Sequence, residues 1–143
     1  MISNSSKYAL KAVLYLAVNS NESNKILIKN LSDPINVPQA YIAKLLQELS
    51  RHNIVSSTRG PNGGFYLSEA NRETQLIDIV NVIDGVNRLN SCLLSLKKCN
   101  SEKPCPLHKF VGSFKTDLMK NFENNTIGDM AKDIKSGKSF LPL

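Results

Sequence analysis

Three cysteines and a histidine stand at Cys92, Cys99, Cys105 and His108, in the spacing Cys-x6-Cys-x5-Cys-x2-His. Three thiolates and one imidazole are four soft donors, enough to complete a coordination shell. The spacing admits three fillings. These are an iron–sulfur cluster with the histidine on one iron, a tetrahedral zinc ion, or metal-free thiols that oxidise reversibly. A close Cys-x-x-Cys pair is missing, which weakens zinc. Pro106 as the first helical residue would put Cys105 at the N-cap and His108 in the first turn, where unpaired N–H groups favour a thiolate. Lys97, Lys98 and Lys103 add positive charge that is expected to lower the thiol pKa values. A metal enzyme would need an open coordination position and a nearby acid or base. Glu102 is the loop's only carboxylate and all four donors are committed, so the reading is of a protein that is not an enzyme.

A second constellation precedes the first. Arg59-Gly60-Pro61-Asn62-Gly63-Gly64 is dense in turn residues and lies between two short β-like runs, Ile54-Val55-Ser56-Ser57-Thr58 and Phe65-Tyr66-Leu67. It reads as a β-hairpin with a basic residue near its tip. An arginine at a narrow glycine-rich tip suits the minor groove, where negative potential concentrates. Immediately before it, residues 38–51 place Ile42, Leu45, Leu46 and Leu49 on one helical face, with Gln39, Lys44, Gln47, Glu48 and Arg51 opposite. Such a helix has an apolar back to seat it and a polar front that fits the DNA major groove. The candidate DNA contacts are therefore Gln39, Tyr41 and Lys44 on the helix and Arg59, Gly60, Asn62 and Gly63 on the wing. His52 is expected to finish the helix or touch phosphate rather than bind metal.

These sites need elements to hold them. Residues 7–19 are apolar on more than one side, as in a helix buried against two partners. A polar loop follows at 19–24. Residues 26–31 then fit a short helix stopped by Asp33-Pro34, because proline disfavours helical geometry in the residue before it. Pro38 reads as the first residue of the next helix. After the hairpin, residues 75–84 carry Leu76, Ile79, Val80 and Ile83 on one stripe, with Gly85 as the stop. Residues 90–106 show no period and hold every cysteine, so they form a loop. From Pro106, Leu107, Phe110, Val111, Phe114, Leu118 and Phe122 follow a three-to-four spacing. Ile127, Met130, Ala131 and Ile134 suit one more short helix, and the tail from Ser136 should fray.

Composition bounds the rest. The chain has 143 residues, 41% apolar and 21% charged, with a formal net charge of +6 and a pI near 9.3. This length suits one compact domain, or a small domain with a dimerisation extension. Three cysteines crowded into fourteen residues do not form a secreted disulfide framework. The positive balance points toward a polyanion. Apolar runs are too short for a membrane span and the N-terminus lacks a signal-peptide pattern, so the expectation is a soluble cytoplasmic protein with no membrane partner.

Tyr8-Ala9-Leu10-Lys11-Ala12, Tyr41-Ile42-Ala43-Lys44-Leu45-Leu46 and above all Arg59-Gly60-Pro61-Asn62-Gly63-Gly64-Phe65-Tyr66-Leu67 resemble the bacterial Rrf family of winged-helix regulators. The resemblance runs from about Ser6 to Phe122. It implies a mainly α fold with a small β-hairpin wing: a winged helix-turn-helix followed by a long C-terminal dimerisation helix. The implied parts are a DNA-binding domain over 1–85, a cysteine-rich cluster loop over 86–106, and the dimerisation helix with its tail over 107–143. The implied partners are a second copy of the chain and a pseudo-palindromic promoter site in double-stranded DNA in the bacterial nucleoid. In the IscR-like branch three loop cysteines and a following histidine match Cys92, Cys99, Cys105 and His108, implying a [2Fe–2S] cluster, with structural zinc or cluster-free redox thiols as the alternatives. NsrR-like members recruit an acidic residue of the first helix, and Lys7 stands at that position here. Two further departures are the six-residue interval after Cys92, where five is usual, and Ala43 in place of the glutamate of IscR-like proteins. The implied function is transcription regulation, with the state of the loop setting how the dimer helix spaces two reading heads.

Overall fold

Ser3 opens the first helix, α1 (Asn4–Asn19), by turning its hydroxyl to accept from the Ser6 N–H at 3.0 Å. The computed structural model describes residues 2–97 and 99–143. Ala9, Ala12, Val13, Leu16 and Ala17 of α1 are fully buried. Small residues on that stripe let several helices approach at once, and α1 touches four of them: α2 (Ile28–Ile35), α3 (Gln39–Arg51), α5 (Leu76–Asp84) and α7 (Ile127–Lys135). The two-sided apolar pattern of the sequence is explained by this surround.

The proline stop falls elsewhere than expected. Pro34 lies inside α2, and the helix ends only at Asn36, which adopts a left-handed φ of 59° while its N–H reaches the Asp33 carbonyl at 3.2 Å. Proline removes a backbone bond, but Leu31 and Ile35 are both in the core, and their burial carries the last turn through. The helix also begins later, at Ile28. Ile26 instead exchanges two 2.8 Å backbone bonds with Phe65 of the hairpin. Pro38 is the N-cap of α3 rather than its first residue, and His52 caps the other end, its Nδ1 3.0 Å from the Glu48 carbonyl.

The hairpin pairs β1 (Ser56–Thr58) with β2 (Gly64–Tyr66) in antiparallel register, Ser57 opposite Phe65. A four-residue helix that periodicity did not register, α4 (Glu69–Arg72), follows it. Its capping box joins Ser68 and Asn71. Buried Asn71 also accepts from the Ser56 hydroxyl at 2.8 Å and donates to the Asn53 carbonyl at 2.8 Å, fastening the base of the wing. Arg72 satisfies the end of α1 through the Ala17 and Ser20 carbonyls.

α5 ends at Gly85, with a φ of 91°, as its sequence requires. Leu76 and Ile79 enter the main core, whereas Ile77 and Val80 form a second cluster with Leu89 of the loop and with Leu118, Met119 and Phe122 of α6 (His108–Asn124). α6 starts at His108 with Leu107 as its cap, two residues later than the expected start at Pro106. Cys105 is therefore not an N-cap. Its carbonyl, not its thiol, meets the first turn, accepting from the His108 N–H at 3.0 Å. α7 then returns to α1 and places Ile127 and Ala131 in the main core. Among the described residues no helix is long and apolar enough to cross a membrane.

Asp84 ties the end of α5 to the start of α1, accepting from both the backbone N–H and the hydroxyl of Ser3, with Arg88 Nε 3.9 Å away. Burial pushes its pKa up, but the two Ser3 bonds and the Arg88 charge outweigh it and hold the carboxyl below the usual range. The folded value lies below the unfolded one, so the stabilisation is complete above about pH 4 and is lost as pH falls through the folded value. Asp84→Ala should cost about 1–2 kcal/mol at pH 7, measured by urea unfolding, and the gap to the parent should close in acid below about pH 4.

Candidate functional site

Two polar surfaces stand apart from the core. The first lies between α3 and the wing. Lys44, Gln47 and Arg51 follow a four-then-three-then-four succession from Ala40 and share the exposed face of α3. Gln47, Ser50 and Arg51 line a groove with Ser57, Thr58 and Arg59 of the hairpin. Arg51 is paired with Glu48 at 3.0 Å. Arg59, Gly60 and Asn62 are exposed at the wing tip, and Gly63 is buried in the turn, donating to the Gly60 carbonyl at 2.9 Å. A Cβ on Gly63 would meet the Thr58 carbonyl oxygen at 2.5 Å, so the turn closes only around glycine.

Not every expected reader joins this groove. Gln39 is exposed at the opposite end of α3, beside Asp33 of α2 and Asn36 of the turn after it. Tyr41 is half-buried, its hydroxyl hydrogen-bonded to that of Ser5 and its ring edge-on to Tyr8 at 5.9 Å. It links α1 to α3. Gln47 and Arg51 lie nearer the wing. Their outward position was already visible in the periodicity of residues 38–51, and the fold supplies their neighbour Arg59.

The second surface is the cysteine loop. Cys92 is buried, Cys105 partly so and Cys99 exposed. The four donors assemble in pairs: Cys92 and Cys105 Sγ lie 3.9 Å apart, and Cys99 Sγ lies 3.4 Å from His108 Nδ1. The backbone N–H groups of Leu94 and Leu96 are the main influences that hold the Cys92 thiol below its ordinary pKa. Burial opposes them, while Cys105 and the charge of Lys115 assist. The cation is thus Lys115 of α6. Lys97 and Lys103 are exposed and do not contribute to that shift, and Lys98 lies outside the described residues.

This pairing bears on what the site can hold. Two sulfurs on one tetrahedral metal, each about 2.3 Å from it, stand about 3.8 Å apart. The Cys92–Cys105 spacing meets that value, and a sulfur 3.4 Å from a nitrogen suits a shared metal equally well. A two-iron cluster takes its protein donors in two pairs, one per iron, and the residues fit such a group. A single zinc ion needs all four together, and among the described residues no three His, Cys, Asp or Glu side chains converge. The Cys92–Cys105 pair also suits a dithiol that closes to a disulfide.

His108 owes its position to a glycine. A Cβ on Gly112, one turn along α6, would lie 3.0 Å from His108 Nε2 and 3.2 Å from its Cδ2. A mid-helix glycine costs about 1 kcal/mol against alanine, and here it makes room for the imidazole ring. Ahead of the packed half of α6, Phe110 is 67% and Phe114 56% exposed.

Residues 2–133 match the Rrf2 family, described as iron-dependent transcriptional regulators. An HTH-type transcriptional regulator of Aquifex aeolicus is 30% identical over 132 residues, covering 91% of this chain and 90% of that protein. An rrf2-like regulator of Rhodobacter capsulatus is 27% identical over 137 residues, 91% of each chain. Among solved structures, the global cysteine regulator CymR of B. subtilis superposes with a TM-score of 0.72 at 19% identity, covering 92% of this chain and 96% of that one. IscR of T. potens gives 0.70 at 22%, covering 97% and 91%. At these identities the two structures establish the fold, a winged helix, as the residues imply.

Gly112→Ala separates stability from the site. The melting temperature should rise by a few degrees as the helix gains alanine. Iron retained per chain after anaerobic reconstitution with ferrous iron and sulfide should fall about threefold to tenfold as the His108 ring is displaced.

Proposed function

We propose that this chain, which belongs to the Rrf2 family of transcriptional regulators, is a homodimeric repressor that grips a pseudo-palindromic site in duplex DNA according to the state of Cys92, Cys99, Cys105 and His108. The observation that carries the reading is that one helix serves both ends of the task. α6 bears His108 at its first residue and the uncovered Phe110 and Phe114 along the same half. Two phenylalanines one turn apart on a projecting helix form an apolar face suited to a second copy of the chain. The head is 1–85, the sensing loop 86–106, and 107–143 carry the dimer helix and the returning α7. A DNA-binding protein of this kind works in the cytoplasm, at the nucleoid.

On the DNA side, Lys44 faces the major groove and Arg59 the adjoining minor groove, with Gly60, Asn62 and Gly63 bringing the wing backbone close to phosphate. Gln39 meets the backbone from the helix N-terminus, and Tyr41 acts as a pair with Ser5. On the sensing side, the two donor pairs would hold a [2Fe–2S] cluster, which when bound would supply one-electron chemistry and a group that oxidants dismantle. The chain does the rest. His108 fixes the loop to the first turn of α6, and Leu118 and Phe122 carry α6 against α5. A change in how the loop seats α6 therefore changes how the two heads are spaced.

A second reading rests on the Cys92–Cys105 contact. Two thiols 3.9 Å apart, one with a lowered pKa, form a cluster-free redox pair, and a CymR of Staphylococcus aureus in its oxidised form superposes with a TM-score of 0.69. Anaerobic reconstitution with ferrous iron and sulfide separates the two. A brown dimer with about two irons per chain supports the cluster, whereas a colourless protein that closes Cys92 to Cys105 with peroxide supports the thiols.

Arg59→Ala should weaken promoter binding and lower the slope of log affinity against log salt by about one. A Phe110→Ser, Phe114→Ser double variant should sediment as a monomer with its helical content retained. Equal promoter affinity of the loaded, metal-free and peroxide-treated forms would remove the sensing role.

A further inference from the structure

Lys115 is the one charged residue buried among the described residues, at 5% exposure, and nothing above assigns it a task beyond its influence on Cys92. A buried ammonium is costly unless every donor is met and an opposite charge lies close. Its Nζ donates to the backbone carbonyls of Asn90, at 3.3 Å, and Ser91, and lies 3.5 Å from Cys99 Sγ. Three donors thus have three acceptors. Among the described residues no carboxylate pairs with it, and the group within its reach that can take part in an anionic centre is the Cys99 sulfur. Asn90 and Ser91 directly precede Cys92, so the same ammonium pins the start of the loop to α6 while facing the cysteine at its middle.

We infer that Lys115 is the counter-cation and positioning residue of the thiolate centre, holding the loop on α6 by neutralising whatever anionic group the sulfurs form. The inference rests on the proposed reading of those four donors as the sensing centre, but not on which filling they take. An oxidised two-iron core or a zinc ion carries two positive charges, and three thiolates with a neutral imidazole leave one net negative charge. One ammonium balances each case.

The test uses the full-length protein with Lys115→Met, which keeps the length of the stem, and Lys115→Arg, which keeps the charge. Two readouts are taken: zinc affinity by chelator competition, and hydrogen exchange of the loop amides around Ser91 and Cys92 in the reduced, metal-free form. The Met variant should bind zinc about tenfold more weakly and exchange those amides about tenfold faster, with the Arg variant within about threefold of the parent in both. A Met variant equal to the parent in both overturns the inference, as does an Arg variant that loses as much as Met. If the parent itself binds neither zinc nor iron with sulfide, the metal-holding readings fail and exchange in the three proteins still decides the role of Lys115.

Discussion

α5 is a short helix buried on two of its faces. Leu76 and Ile79 are locked into the core that α1 and α3 share, and Ile77 and Val80 into the cluster beneath α6. Close-packed side chains shift between discrete arrangements rather than yielding gradually. A displacement of α6 must therefore either open the second cluster or carry α5 with it, and α5 is in contact with both α1 and α3. The nine residues of α5 thus pack into both cores, which Leu10 of α1 and Phe122 of α6 also bridge.

Much of this was legible because it is periodic. Ile42, Leu45, Leu46 and Leu49 specify the buried face of α3, and the switch to short β-like runs around Arg59-Gly60-Pro61-Asn62-Gly63-Gly64 marks the wing. The misses have physical causes. Pro34 was read by its local rule, but Leu31 and Ile35 flank it with core contacts that a local rule does not weigh. α4 is a single turn, too short for any period, and its signal is the Ser68-x-x-Asn71 cap with asparagine in place of the usual glutamate or glutamine. Ile26 pairs with Phe65 across 39 positions of sequence, a contact without a local signature. Gly64 is what permits it, since a Cβ there would meet the Ile26 carbonyl oxygen at 2.8 Å.

At the thiol centre the donors were plain and their surroundings were not. Cys92, Cys99, Cys105 and His108 stand out by type and spacing, but their division into two pairs depends on how the loop folds back onto α6. Lys115 reads in sequence as an ordinary polar position of an amphipathic helix, ten residues beyond Cys105. The nearby Lys97 and Lys103 looked like better sources of charge, yet both are exposed, where water screens them. Gly112 likewise reads as a weak helical residue until the His108 ring is seen against it. In each case the informative feature is a residue that is expensive where it stands: a cation out of water, or a glycine inside a helix.

The same reasoning applies where the loop begins. Asp84 spends its carboxylate on the Ser3 N–H and hydroxyl, at the cap of α1, and two residues later Ser5 holds the Tyr41 hydroxyl. The last residue of α5 and Tyr41 of α3 are thus fastened to the same end of α1. Contiguity alone is not coupling, which requires an element with two arrangements that both sites bias. The first half of α6 has the makings of that element. It holds the loop through His108 and Lys115, exposes Phe110 and Phe114, and enters the second cluster only from Leu118 onward. Its buried cation and its imidazole face the loop sulfurs, while its two phenylalanines face outward. On the proposed reading, a helix placed between those two surfaces would take its position from the sulfur chemistry on one flank and from a second copy on the other, and α5, packed against it, would pass that position to α1 and α3.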